Sequence, residues 1–336
     1  MSLRYSSVLA ITLLLTACAD QPRSVKPVVA TPHAEVPKTA SVVASDEAAK
    51  TPASIADESP KPFDLTRPDI VAFIDSLSSK HAIPAEELRA LLSQGMFQPK
   101  IIVAMTRPAE RVLAWWEYKD RLVSNERVAR GREFWNTHRD RLSAIEQKTG
   151  VDAAIIVAII GVETNYGRNM GSWRVLDALM TLGFDYPRRA EFFRSELEHF
   201  ILLAREESWD PLTVRGSYAG AMGAPQFMPS SYRKYAVDGD GDGRRDLFGS
   251  KKDAFASIAN YFNGFGWQVG KPVFVRAAAA PGAAAYKPEN WEAKFTLAEL
   301  AVRGYAPVRP VENLPSTLLT LEGVQGAEHW IGFKNF

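Results

Sequence analysis

Glu163 closes an apolar run, Ala153 to Val162, that follows Gly150-Val151-Asp152 and is followed by Thr164-Asn165-Tyr166-Gly167. A helix that is apolar on every face belongs in an interior, and Gly167 is the candidate C-cap. In the last turn, beside Ile159 and Ile160, a carboxylate meets the negative end of the helix dipole and apolar neighbours. Both disfavour its ionised form. An acid that stays protonated near neutral pH can hand a proton to a leaving oxygen, as glycosidic bond cleavage requires. On the helix pattern alone, a solvent-facing glutamate at a helix end is the competing reading.

A second set of residues has metal chemistry. Asp238-Gly239-Asp240-Gly241-Asp242-Gly243 matches the first half of an EF-hand loop, with oxygen ligands at positions 1, 3 and 5 and the glycine of the sharp turn. Arg244 stands where a backbone carbonyl ligates, and Asp246 falls at position 9. Gly249 occupies position 12 in place of the bidentate glutamate, a role Asp253 fills in a longer loop. Closely spaced aspartates repel one another without a cation, so structural calcium is expected, bracing the segment between Gln226 and Tyr261. A solvated turn without metal is the alternative.

The elements that must hold these residues read as helices through most of the chain. Ile70, Phe73, Ile74 and Leu77 repeat at three and four, with Asp69 supporting the start, and Pro84-Ala85-Glu86-Glu87 opens another helix. A third signal lies around Val112 to Tyr118. The charged stretch from Asn125 to Lys148 reads as helical with a solvated face, its buried side marked by Phe134, Leu142 and Ile145. Pro272 to Arg276 and Leu318 to Leu321 read as short strands, separated by an alanine-rich loop around Ala277 to Ala285. The expected class is mainly α (α+β), with a small β part.

The chain has 336 residues, 46% of them hydrophobic and 10% aromatic, enough for a large core or several packed subdomains. Its 40 basic and 39 acidic residues leave a net charge of +1, so nothing electrostatic argues for nucleic acid as a partner. Cys18, the only cysteine, stands directly behind the short apolar stretch Val8 to Leu15, which follows Arg4 and is too short to cross a bilayer. This is the layout of an exported precursor. Once residues 1–17 are removed, neither a disulfide nor a cysteine metal site can stabilise the fold. From Ala19 to about Pro62 the sequence is rich in Pro, Ala, Ser, Thr and Lys and cannot form a core. It reads as a tether reaching between roughly 35 Å as a coil and 140 Å as a polyproline II rod.

Two resemblances add to this. Leu15-Thr16-Ala17-Cys18 resembles the lipobox of bacterial lipoproteins, which implies a lipid on Cys18, and Ala19 then favours the outer membrane. Gly161-Val162-Glu163-Thr164-Asn165-Tyr166-Gly167 resembles the catalytic segment of lytic transglycosylases of the lysozyme-like superfamily. Gly216-Ser217-Tyr218-Ala219-Gly220-Ala221-Met222-Gly223-Ala224-Pro225-Gln226-Phe227-Met228-Pro229-Ser230-Ser231-Tyr232 closely resembles their second motif. With Phe184-Asp185-Tyr186-Pro187-Arg188-Arg189 and Ala259-Asn260-Tyr261-Phe262, the likeness is to the membrane-bound lytic murein transglycosylase B family, glycoside hydrolase family 103. It covers most of the chain from about residue 65.

That resemblance implies a lysozyme-like core in which Glu163 is the sole catalytic acid and base and Ser217 orients the substrate's N-acetyl group. Gln226, Tyr261 and Tyr118 would line the glycan groove, and Arg188 and Arg189 would contact the peptide stem. It also implies the extended calcium loop 238–253. For Phe227, Tyr232 and Trp173, core packing is the default and sugar stacking the alternative. The implied reaction cleaves the β-1,4 bond between N-acetylmuramic acid and N-acetylglucosamine without water, forming a 1,6-anhydro ring. Ordinary glycosidases use two carboxylates. A partner could in principle be Asp177 or Asp185, but neither lies in a setting comparable to that of Glu163.

The expected organisation is a signal peptide (1–17), lipidated Cys18 and tether (18–62), a helical domain (63–145), the catalytic core (146–268) and a C-terminal α/β segment (269–336). Relatives continue past the position of Phe336 with a groove-lining tail, so a truncated segment is expected there. A monomer bound to peptidoglycan glycan strands and anchored at the periplasmic face of the outer membrane follows, with room for partners in cell-wall synthesis or hydrolysis. The rivals are a non-catalytic peptidoglycan-binding lipoprotein and a hydrolytic muramidase.

Overall fold

The structure is a computed structural model and describes residues 59–106, 113–284, 286 and 292–335. Cys18, its flanking residues, most of the tether, Val112 and Phe336 lie outside the described residues.

Among the described residues there are twelve α-helices and three small antiparallel sheets. The N-terminal helices follow the apolar periodicity. Helix α1 (Pro68–His81) buries Ile70, Phe73, Ile74 and Leu77, and Asp69 in its first turn pairs with Arg67 at 2.8 Å. Helices α2 (Ala85–Leu92) and α3 (Pro99–Thr106) follow, with a two-stranded ribbon pairing β1 (Lys61–Pro62) and β2 (Met96–Phe97). Helix α4 (Trp115–Leu122) has no buried residue. The charged stretch forms two helices, α5 (Asn125–Thr137) and α6 (Arg139–Thr149), separated at His138. Phe134 and Leu142 are buried, whereas Ile145 is only partly so.

Helix α7 (Ala153–Thr164) begins at Asp152, whose carboxylate accepts the Ala154 N–H at 2.7 Å. It is not interior on every face. Ile156, Val157 and Ile160 are buried, but Ala154, Ala158 and Val162, four residues apart, form an exposed stripe. An all-apolar helix is compatible with such a stripe because small or single apolar side chains cost little at a surface. After α7, β3 (Trp173–Arg174) pairs with β4 (Arg215–Gly216), and between them run α8 (Val175–Asp185), a 3-10 turn (Pro187–Arg189) and α9 (Ala190–Glu206). Then come α10 (Pro229–Tyr235) and α11 (Lys251–Gly264).

The remainder is a four-stranded antiparallel sheet of order β6-β5-β8-β7, with α12 (Leu297–Val302) beside it. Strand β5 (Phe274–Ala279) starts two residues later than expected and continues into the alanine-rich segment, where Ala277, Ala278 and Ala279 pair with β6 (Tyr305–Pro307). The second expected strand extends to β7 (Ser316–Gly323) and pairs along its whole length with β8 (Gly326–Phe333). The long pairing explains both extensions, because ladder hydrogen bonds override the low strand preference of alanine.

Three hydrophobic clusters result. The first joins α1, α2 and α3 to α8, α9 and α10 around Leu179, Phe193 and Phe200. The second holds α5, α6, α7 and α11 together through Phe134, Ile156, Ile160 and Phe255. The third lies under the C-terminal sheet.

Candidate active site

Helix α7 ends in a way that presents Glu163. Its cap is Asn165, in the left-handed region at φ 51°, not Gly167. The Asn165 N–H returns to the Gly161 carbonyl at 3.2 Å and the Tyr166 N–H to the Ile160 carbonyl at 3.1 Å. Asparagine tolerates this conformation, so the helix stops two residues before the glycine. Gly161 has its own reason: a Cβ there would lie 2.9 Å from the Tyr166 ring, whose hydroxyl donates to the Arg127 carbonyl at 3.1 Å.

The neighbouring Thr164 is buried, and its hydroxyl donates to the Ala224 carbonyl at 2.9 Å while accepting the Gly167 N–H at 3.0 Å. Ala224 in turn donates its N–H to the Leu247 carbonyl at 2.8 Å. The end of the acidic loop, the 222–227 turn and the last turn of α7 are therefore one hydrogen-bonded series. Met222 and Phe227 close the turn by exchanging backbone hydrogen bonds at 2.8 and 2.9 Å. Inside it Gln226 adopts φ 52°, its side-chain amide donating to the Gly223 carbonyl at 2.9 Å and the Met170 carbonyl at 3.2 Å.

These elements enclose a cleft of about 320 Å³ that contains Glu163, Gln226 and Tyr261. Ile159, Phe227, Met228, Ile258 and Phe262 provide apolar wall. Glu163 keeps contact with solvent, but the walls remove part of its hydration, and this desolvation raises its pKa above the ordinary glutamate value. It is the only carboxylate lining the cleft among the described residues. Asp177 is buried against the Arg174 guanidinium at 2.5 Å and accepts the Met96 N–H at 2.9 Å; Asp185 pairs with Arg67 at 2.9 Å. Both carboxylates are committed to structure elsewhere.

Of the other residues singled out in the sequence, Phe227 lines the cleft and the rest lie outside its wall. Ser217 follows β4, where its hydroxyl oxygen accepts the N–H groups of Ala219 and Ala221 at 3.2 and 3.0 Å. Tyr118 is half exposed on α4 beside Trp115. Arg188 and Arg189 are exposed on the 3-10 turn, and Arg189 rests over Phe192 at 4.2 Å. Tyr232 is a core residue that accepts the Leu247 N–H at 3.1 Å, whereas Phe227 is both packed and cleft-lining. Trp173 packs against the first cluster. Thr164, Met228 and Phe262 stand inside the family-like motifs without a role of their own there, and Ile258 is signalled only by its helical spacing from Tyr261 and Phe262.

In the acidic loop, one carboxylate oxygen each of Asp238, Asp240 and Asp253 lies within 4.8 Å of the others. Asp253 is fully buried at the start of α11, accepting the Gly239 and Asp246 N–H groups at 2.9 and 2.7 Å, and burial raises its pKa. The loop's own N–H groups, that of Gly243 foremost, hold Asp238 below the usual carboxylate range. Asp242 is outside this cluster and accepts the Arg244 N–H at 2.9 Å; Asp246 accepts those of Phe248 and Gly249 at 2.8 and 2.9 Å. Three converging carboxylates, one of them buried, form a donor set suited to a hard cation.

Residues 66–336 match the transglycosylase SLT domain. The chain is 42% identical over 280 residues to the membrane-bound lytic murein transglycosylase B of Escherichia coli strain K12, covering 80% of this chain and 76% of that protein. The chain belongs to that lytic transglycosylase family. Among solved structures, this transglycosylase is similar to the soluble lytic transglycosylase SltB1 of Pseudomonas aeruginosa. The identity is 44%, with 80% of this chain and 90% of that one covered at a TM-score of 0.74. It is likewise similar to the E. coli lytic transglycosylase Slt35 in complex with calcium, at 41% identity, 82% and 87% coverage and a TM-score of 0.74. The mainly α, lysozyme-like architecture of this transglycosylase follows from the same likeness.

Proposed function

We propose that this lytic transglycosylase cleaves the β-1,4 bond between N-acetylmuramic acid and N-acetylglucosamine of peptidoglycan, with Glu163 as acid and then base. The observation that carries the proposal is the isolation of Glu163 as the only carboxylate among the described residues of the cleft. A double-displacement or inverting hydrolase needs a second carboxylate nearby. With one, the substrate's own acetamido group takes over stabilisation of the cationic centre. Glu163 gives its proton to the bridging oxygen as the muramyl C1–O bond breaks. The resulting carboxylate takes the proton of the muramyl C6 hydroxyl, whose oxygen forms the new bond to C1. No water enters, and Glu163 is protonated again at the end.

Gln226 and Tyr261 line the glycan path, and Ser217 orients the N-acetyl group. Two N–H donors fix the Ser217 hydroxyl oxygen and leave its proton free to reach an acceptor. We assign Tyr118 to a more distant glycan contact and Arg188 and Arg189 to the peptide stem. Calcium held by Asp238, Asp240 and Asp253, with Asp242 and the Arg244 carbonyl, would neutralise the acidic loop and brace the 222–227 turn through the Leu247–Ala224 hydrogen bond. The lipid on Cys18 and the tether place the enzyme at the periplasmic face of the outer membrane. In this reading the chain divides into a helical domain (63–145), a catalytic core (146–268) and a C-terminal α/β segment (269–336).

Mass analysis of digested peptidoglycan tests this reading. Anhydromuramyl ends are expected; reducing muramyl ends would instead mean hydrolysis, and undigested substrate would mean a binding protein.

A further inference from the structure

The aromatic wall of the cleft continues beyond the cleft. Ile258, Tyr261 and Phe262 line it from one face of α11, and Phe265, four and three residues after the last two, extends that face by one turn. Phe265 is not itself part of the cleft wall. Its ring stands 4.6 Å from that of Tyr261, with 34° between the planes, and 5.6 Å from that of Tyr235. Tyr261 in turn lies 5.4 Å from Phe227. Three rings, Phe227, Tyr261 and Phe265, thus form a row from the cleft wall to the surface.

The backbone beneath the last ring is fixed. The Phe265 N–H donates to the Tyr261 and Phe262 carbonyls at 3.1 Å each, the Gly266 N–H to the Asn263 carbonyl at 3.0 Å, and the Trp267 indole to the Gly150 carbonyl at 2.8 Å. Phe265 is nonetheless 56% exposed. A single exposed apolar side chain is ordinary, but apolar surface contiguous with a binding groove marks a ligand contact. An aromatic face suits a partner that is flat and apolar on one side and polar at its edge. A pyranose ring has that form, with C–H groups on its face and hydroxyls at its rim. The polymeric substrate supplies such rings on both sides of the bond being cleaved. We propose that Phe265 is a stacking platform for a sugar ring of the glycan strand outside the cleft, an outer contact next to Tyr261. The inference rests on the glycan-cleaving reading of the cleft.

The test is calorimetric binding of glycan strands freed of stem peptides to the full chain carrying Glu163→Gln, which prevents turnover. Adding Phe265→Ala should weaken strand binding about three- to tenfold, while affinity for the disaccharide of N-acetylglucosamine and N-acetylmuramic acid, held by the cleft alone, is kept. Phe265→Trp should restore strand affinity; Phe265→Leu, apolar without a flat face, should not. Equal strand affinity with and without Phe265→Ala overturns the outer contact. So does an equal loss for strand and disaccharide, which would mean that Phe265 acts only by supporting Tyr261, or a loss seen only with strands that keep their peptides. Failure of the Glu163→Gln protein to bind strands at all would instead sink the glycan reading of the cleft, and the outer contact with it.

Discussion

Glu163 is solvent-exposed but flanked by apolar cleft walls, and no hydrogen-bond or ion-pair partner holds it among the described residues. Desolvation raises its pKa above the ordinary glutamate value, which favours the protonated form that the proposed mechanism needs. Activity on peptidoglycan should therefore hold at low pH and fall as pH rises through the raised pKa. A pH profile whose basic limb sits at the unperturbed glutamate value would contradict this. Stability carries the same sign: the folded state keeps the proton that the unfolded chain has lost, so this group's contribution declines as pH rises between the two pKa values. Glu163→Gln removes that decline while reducing anhydromuramyl product by at least about a hundredfold. Product assay and melting curves on one preparation check both.

At the scale of elements, the site depends on the series from Leu247 through Ala224 to Thr164. Thr164→Val leaves the Ala224 carbonyl and the Gly167 N–H without their partner and should cost about 1–3 kcal/mol, measured by denaturant unfolding. Turnover should fall further than stability explains, because the 222–227 turn carrying Gln226 is no longer held to α7. Gly161→Ala tests the other side of the helix. Its Cβ meets the Tyr166 ring at 2.9 Å, so overpacking of about 1–3 kcal/mol should outweigh the helix-propensity gain of about 1 kcal/mol. For the acidic loop, calcium should raise the melting temperature and a chelator lower it, since the folded loop alone assembles the three carboxylates. Asp238→Asn, on an exposed residue, should abolish that response; a variant with an unchanged calcium shift would place the metal elsewhere.

At the scale of the molecule, the cleft is a border between two cores. Ile159, Ile258 and Phe262 belong to the cluster around α7 and α11; Phe227, Met228 and Tyr261 belong to or pack on the one built from α1–α3 and α8–α10. Packing of both clusters sets the cleft width, so destabilising core substitutions far from Glu163 should reduce turnover. No helix among the described residues is long and apolar enough to cross a membrane. The proposed lipid anchor predicts that Cys18→Ser moves the protein from the membrane fraction to the soluble fraction without lowering its activity on isolated peptidoglycan.

What the sequence determined by itself is whatever depends on local periodicity and residue chemistry. The helix from Pro68, the charged segment with Phe134 and Leu142 on its buried side, the acidic loop and the acid at the end of an apolar run were all legible because near neighbours carry them. The tertiary structure decided the rest, since it depends on contacts far apart in the chain. It opened one stripe of α7 to solvent, moved the cap to Asn165 and joined Thr164 to Ala224 across 60 positions. It also gave Asp177 and Asp185 to arginines and left Glu163 alone in a cleft walled by two cores. A carboxylate's pKa and role are set by what surrounds it in space, and no spacing along the chain specifies that.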